Sequence, residues 1–349
     1  MKISILTFPK AINYGTALQA VALKKKLELY GNEVCFLEHK CDEIEKSNKV
    51  FDFRDAINPK YTLAHLYNLP IALKRKSNFK DFQQKYMSFS NKSPESFDAV
   101  VAGSDQIWNY NLTNNDWFYF LNFDKKNTKK VSYAGSFGLS AIDNDKKEVI
   151  KKCLLDFDYL SVREKTAQDI LKNEFNINSD LVLDPTLLLN EKDWESFYKR
   201  DLYSNGFIYV YTVFNSPTLW DFAYKLSKKT GKPIRTICYS KLHKPNAECC
   251  FTAGPGEWLS HISGADYVVT NSFHGVAFSI NFNKQFFFEL PPEKSGVGSR
   301  LADITARYGL SERELSVADT EAVIDYNDIN QKLNDDRLAS EEFIKQFLK

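Results

Sequence analysis

The chain has 349 residues, too many for one small core, and its length points to about two domains. A hydrophobic fraction of 43% and a charged fraction of 26% exclude a disordered chain. A net charge of +1 excludes the basic field of a general nucleic-acid binder, and no window nears the ~18 apolar residues of a membrane span.

The six cysteines (Cys35, Cys41, Cys153, Cys238, Cys249 and Cys250) form neither a CxxC pair nor a Cys/His spacing suited to zinc. Free thiols in a reducing cytosol are the expectation. The apolar run in MKISILTFPK is too short for a signal peptide, so the sequence reads as cytoplasmic. The basic runs Lys24–Lys26 and Lys74–Lys76 read as solvated helix faces that leave room for a weak peripheral contact with a membrane surface.

In chain order, Ile3–Thr7 reads as a first strand and Phe8–Thr16 as a turn containing Asn13, Tyr14 and Gly15. A helix follows over Ala17–Tyr30, then a strand over Glu33–Glu38. This βαβ unit implies a parallel, right-handed crossover, with Asn13–Gly15 at the carboxyl end of the first strand, where open α/β sheets bind ligands. Residues 40–95 carry helices around Leu63–Leu73 and Asn78–Tyr86, an insertion or lid over the sheet.

Phe97–Ala102 is again a strand, leading into Gly103, Ser104, Asp105, Gln106, Ile107 and Trp108, a pocket rim. For Asp105 two readings stand open, a general base for a hydroxyl or a helix cap. Trp108 is a sugar platform or a core aromatic. Lys130–Tyr133 is a strand followed by the small-residue loop Ala134–Gly138, which holds Ser136. It lacks the glycine spacings of dinucleotide and P-loop sites, so no cofactor is expected. Asp143-Asn144-Asp145 resembles a metal-binding DxD but opens a helix, and no metal is expected either.

Asp158–Val162 runs into Arg163, a residue suited to bidentate contact with carboxylate or phosphate, or to a structural pairing with Glu164 or an aspartate. Pro185 stops the strand begun at Leu181. The second half restarts the pattern with strands at Gly206–Val213, Pro233–Tyr239 and Gln285–Leu290, and helices at Leu219–Thr230 and Glu257–Ser263. Pro291–Gly298 reads as a flexible loop, Arg300 follows in a helix start, and Glu341–Leu348 is a short amphipathic helix.

Within this half, Ala265–Ile280 (ADYVVTNSFHGVAFSI) reads as strand, polar turn at Asn271 and Ser272, then helix. It sets His274 and Gly275 at a helix start, where amides and dipole favour an anion. Gly275 would let a ligand approach the backbone, and His274 can donate to an anion or transfer a proton. A core histidine satisfied by the turn is the alternative.

Taken together, Asn13-Tyr14-Gly15, Gly103–Trp108, Val131–Gly138, Val162-Arg163-Glu164, Asp184-Pro185-Thr186 and Ser272-Phe273-His274-Gly275 resemble the polysaccharide pyruvyl transferase family over nearly the whole chain. The resemblance implies an α/β fold of two Rossmann-like domains facing a cleft, similar to glycosyltransferases of the GT-B type. The expected division is an acceptor-side domain over 1–190, a donor domain over 191–335 and a C-terminal helix over 336–349 packing back across the junction. It implies transfer of pyruvate from phosphoenolpyruvate to two hydroxyls of a sugar or lipid-linked saccharide in cell-surface polysaccharide synthesis, leaving a cyclic ketal and phosphate. The chemistry then asks for His274 as proton donor to C3 and Asp105 as base, with Arg163 and Arg300 among the groups that bind the donor.

One position departs from the family. Better-known members carry an arginine two residues before the histidine, where this chain has Ser272, and Arg300 is the expected substitute. A glycosyltransferase using a nucleotide sugar, or a catalytically silent sugar- or anion-binding protein, are the rival readings.

Overall fold

In the computed structural model, which describes residues 1–48, 59–199, 206–242, 245–291 and 298–349, two all-parallel sheets lie in sequence along the chain. The first contains β1 (Lys2–Leu6), β2 (Glu33–Leu37), β3 (Phe89–Ser90), β4 (Ala99–Ala102), β5 (Lys129–Gly135), β6 (Tyr159–Val162) and β7 (Asp180–Leu181), in the spatial order β3-β2-β1-β4-β5-β6-β7. The second contains β8 (Ile208–Tyr211), β9 (Ile234–Ile237), β10 (Glu248–Cys250), β11 (Tyr267–Thr270) and β12 (Gln285–Phe288), in the order β10-β9-β8-β11-β12. Both orders reverse once, between β1 and β4 and between β8 and β11, so each sheet has a crevice at its carboxyl edge.

The strands are short apolar runs because both faces are covered. On β4, Ala99 and Val101 enter one apolar cluster while Val100 and Ala102 enter another on the opposite face. β8 alternates likewise, Tyr209 and Tyr211 facing the first cluster and Ile208 and Val210 a third. One face of each sheet thus feeds the same continuous cluster, which brings the two carboxyl edges together.

Several elements differ from expectation. The first helix spans Tyr14–Leu29, with Asn13 as its cap accepting from Thr16 N at 3.1 Å, so Tyr14 and Gly15 form its first turn. The two expected helices at 63–86 are one, Pro59–Tyr86, running through Pro70. Its neighbours supply the packing that propensity alone would not: Asn78 Nδ2 donates to Thr252 O at 2.7 Å and Phe79 packs on Tyr14. The segment from Leu181 does not continue as a strand; Asp184 caps a helical turn, Pro185–Leu188, with Pro185 at its first position.

The C-terminal helix is Asn327–Leu348, longer than expected. It touches both units: Ser340 Oγ accepts from Leu183 N at 2.9 Å and Glu341 pairs with Lys26, while Arg337 Nη2 donates to Asn281 Oδ1 at 2.8 Å. The free-thiol expectation fails at one pair. Cys238, just beyond β9, and Cys249, on neighbouring β10, are disulfide-bonded with Cα atoms 5.5 Å apart. Parallel pairing of the two strands brings the thiols together. Cys35, Cys41, Cys153 and Cys250 are free. The expected loop Pro291–Gly298 lies, apart from its two ends, outside the described residues.

Candidate active site

The loops after β1, β4, β8 and β11 enclose a cavity of about 350 Å³ between the two sheets. Asn13, Thr16, Asp105, Gln106, Asn271, Ser272, His274 and Arg300 line it. His274 stands in the first turn of the helix Phe273–Asn281, whose cap Ser272 accepts from Gly275 N at 3.3 Å. The helix starts here because Thr270 Oγ1 takes the Ser272 amide at 3.1 Å and closes the turn after β11. The imidazole is buried, and its Nε2 has no hydrogen-bond partner among the described residues, Asp184 Oδ2 lying 4.0 Å away. Burial lowers its pKa, with Arg163 and Arg300 acting the same way, against Asp184 and Asp105 nearby.

Gly15 is the reason the ring can sit there. A Cβ on Gly15 would lie 2.0 Å from His274 Nδ1, so the first helix packs directly on the imidazole of the second unit. Gly15→Ala should displace the ring and destabilise the chain by about 1–3 kcal/mol, read by denaturant titration, with activity falling further than stability accounts for.

Behind the cavity lies an ion cluster. Arg163, its side chain only 1% exposed, gives Nη1 to Asp184 Oδ2 at 2.8 Å, Nη2 to Asp105 Oδ1 at 3.3 Å and Nε to Glu164 Oε2 at 3.3 Å. Its three neighbours are the protein's own carboxylates. Of the two readings open for Arg163, the structure has the internal pairing, which leaves the guanidinium turned away from a ligand in the cavity.

Asp105 caps no helix among the described residues; Asn109 caps the one that follows. Asp105 sits at φ 82, an uncommon conformation for a residue with a side chain, and bridges to Gly135. Its Oδ2 accepts from Thr16 Oγ1 at 2.6 Å and its Oδ1 from Gln106 N at 2.9 Å. Burial alone would raise its pKa, but Arg163, His274, Thr16 and Arg300 outweigh it and hold the carboxyl at about 2, below the ordinary 3.8. Asp184 is likewise lowered against burial, by His274, Arg163 and two bonds from Thr186. Glu164 is raised, burial there prevailing over both arginines.

Arg300, on the helix Gly298–Arg307, is the one Lys or Arg among the described residues that lines the cavity. With the Gln106 amide oriented to satisfy both groups, its oxygen accepts from Arg300 Nη1 at 3.1 Å and from Nη2. Arg300 Nε has no partner among the described residues, and burial beside Arg163 lowers its pKa to about 10. Both cations lie against the Phe273 ring, Arg163 at 5.1 Å and Arg300 at 5.9 Å from its centroid.

Other expected site residues lie elsewhere. Trp108 is fully buried and stacks on Phe120, so of its two readings the core aromatic is the one found. Tyr14 is buried between the units, its hydroxyl donating to Ala253 O at 2.9 Å. Ser104 is enclosed and donates to Ala134 O at 2.9 Å; Ser136 is enclosed and accepts from Gly138 N at 3.1 Å. Gly275 does not open the backbone to a ligand. A Cβ there would come within 2.5 Å of Thr270 Oγ1, so its smallness serves the packing of helix on strand. Asn271 lines the cavity while its amide holds the next loop, accepting from Val213 N at 2.8 Å and donating to Phe214 O at 3.0 Å. Sequence reasoning passed over Thr16, Glu164 and Asp184, though the last two stood in motifs it had marked.

Two Rossmann-like sheets whose carboxyl edges face across a cleft, with ionisable groups from both converging there, define an α/β architecture of the GT-B type. The polysaccharide pyruvyl transferase family model matches residues 13–288, and the chain belongs to that family. Among solved structures it is similar to a UDP-GlcNAc 2-epimerase of Methanocaldococcus jannaschii, at 13% identity and TM-score 0.50, covering 96% of this chain and 91% of that one. It also matches an E. coli heptosyltransferase solved with ADP, at 11% identity and TM-score 0.39, covering 96% and 100%. No curated protein matches the chain significantly by sequence. No helix among the described residues is long and apolar enough to cross a membrane.

Proposed function

We propose that this chain transfers pyruvate from phosphoenolpyruvate to two hydroxyls of a saccharide in cell-surface polysaccharide synthesis, forming a cyclic ketal and releasing phosphate. The observation that carries the reading is the pairing, in the wall of one cavity, of a buried imidazole and a buried guanidinium whose Nε2 and Nε have no hydrogen-bond partner among the described residues. A small, multiply charged donor satisfies both. Its phosphate and carboxylate pair with Arg300 and the amino end of the helix Phe273–Asn281.

The anion would raise the pKa of His274 on binding, which favours a protonated ring beside C3 of the enol. His274 gives that proton to C3, and C2 becomes electrophilic. One sugar hydroxyl adds to C2 and releases its proton; phosphate leaves by C–O cleavage; the second hydroxyl closes the ketal and releases its own. Asp105, in the ionised form with Thr16 bonded to it, takes the first hydroxyl's proton and yields it to the departing phosphate, then takes the second's and returns it to His274. A carboxylate of low pKa suffices because a hydroxyl becomes strongly acidic as its oxygen bonds to an electron-poor carbon. Arg163 positions Asp105 and Asp184 and touches no reacting atom.

Calorimetry with phosphoenolpyruvate and with a UDP-sugar tests the reading. Binding of the first, with phosphate released when an acceptor saccharide is present, supports it; binding of the UDP-sugar alone points to glycosyl transfer instead. Arg300→Gln should weaken phosphoenolpyruvate binding about 10–100-fold, the loss of a charge-assisted contact.

A further inference from the structure

The long helix Pro59–Tyr86 buries one face only. Ile71, Arg75, Phe79 and Phe82 pack inward, Arg75 donating to Cys238 O and Phe251 O of the second unit. In its N-terminal half, at the three- and four-residue spacing of a helix stripe, Leu63 (69%), Leu66 (52%), Tyr67 (56%) and Leu73 (52%) stand exposed with Pro70 among them. Leu242, 63% exposed, extends the patch from the second unit: Lys241 N donates to Asn68 Oδ1 at 2.8 Å, and Lys241 Nζ lies 5.8 Å from the Tyr67 ring. Apart from nearby Tyr239, the other large exposed apolar side chains among the described residues are scattered over separate elements.

The charge along this stripe is mainly basic, with Glu45 lining the same hollow as Lys76 and Lys80 and Asp81 just beyond its end. Lys74, Lys76, Lys80 and Lys241 are exposed, and no acidic residue occurs from Pro59 to Lys80. A contiguous apolar patch on a monomer's surface marks an interaction site, and a rim of lysines selects an anionic partner.

We propose that this face docks the protein on an anionic phospholipid bilayer. The helix would lie in the interface plane, with its leucines and Tyr67 among the upper acyl carbons and its lysines at the headgroups. Charge argues against a second copy as the occupant. A two-fold pairing of this patch would set each lysine rim against its own mate, whereas an anionic surface neutralises it. The proposal stands apart from the ketal chemistry, since it uses no residue of the cavity.

Co-sedimentation of the full chain with vesicles of phosphatidylcholine, alone or mixed with phosphatidylglycerol, reads the outcome. Binding should require phosphatidylglycerol, weaken with salt, fall about fivefold for each of Lys74 and Lys76 changed to Gln, and be lost in a Leu66→Glu, Tyr67→Glu variant with unchanged circular dichroism. No binding to the anionic vesicles, or equal binding by the double variant, overturns the proposal. So does a dimer in light scattering that the same variant converts to a monomer, which would make the face a subunit interface.

Discussion

Replacing His274 by alanine is expected to lower turnover by about 10²–10⁴, the usual worth of a positioned general acid. Phosphoenolpyruvate binding should change far less, because Arg300 and the helix terminus remain. Two features make this more than the removal of a core residue. The ring lies in the wall of the cavity, and its Nε2 is a buried polar atom without a hydrogen-bond partner among the described residues. Such atoms are rare in packed interiors unless a ligand completes them. The pH profile separates the acid role from a structural one. Burial lowers the pKa of His274 in the free protein, and a bound anion raises it. The basic limb of kcat should therefore fall at higher pH than that of kcat/KM. Coincident limbs, or near-normal turnover in His274→Ala, would remove His274 from proton transfer.

Arg163→Leu should cost about 3–5 kcal/mol of stability, the largest structural effect of any single change in the site. The guanidinium is 1% exposed and bonded to Asp184, Asp105 and Glu164, so its loss leaves buried carboxylates facing one another. The sign of the pH dependence follows from Asp105. Its folded pKa is depressed to about 2 from the ordinary 3.8, so in the wild type it contributes stability that is present above about 4 and lost as the pH falls toward 2. Without Arg163 that contribution disappears. The variant's deficit should be greatest at neutral pH and shrink on acidification, as measured by urea unfolding at a series of pH values. A deficit independent of pH would mean that the cluster's charges do not set its stability.

The parallel strands were legible because both faces of each are buried and β1, β4, β8, β11 and β12 read as short apolar runs between polar turns. β10, three residues of sequence ECC, has no such signature and exists through its pairing with β9. The sequence pattern breaks the long helix between Leu73 and Asn78, at a charged stretch, whereas packing on the second unit, where Arg75 and Asn78 donate to its carbonyls, carries the helix through. In the cavity, the residues found by sequence stand at strand ends or helix starts: Asn13, Asp105, Gln106, Asn271, Ser272, His274 and Arg300. Arg163 shows what sequence does not carry. Its place at the end of β6 was legible, but the three carboxylates around it come from different loops, and only the fold turns the side chain toward them rather than toward a ligand. Asp184 was read as part of a strand stop because Pro185 explained it locally; its bond to Arg163 spans 21 residues.

A crystal structure of the chain soaked with phosphoenolpyruvate tests the central claim most directly. The account predicts the phosphate and carboxylate between Arg300 and the amino end of the helix Phe273–Asn281, with C3 against His274 Nε2. Phosphoenolpyruvate bound outside the cavity, with the imidazole making no contact to it, would contradict the account.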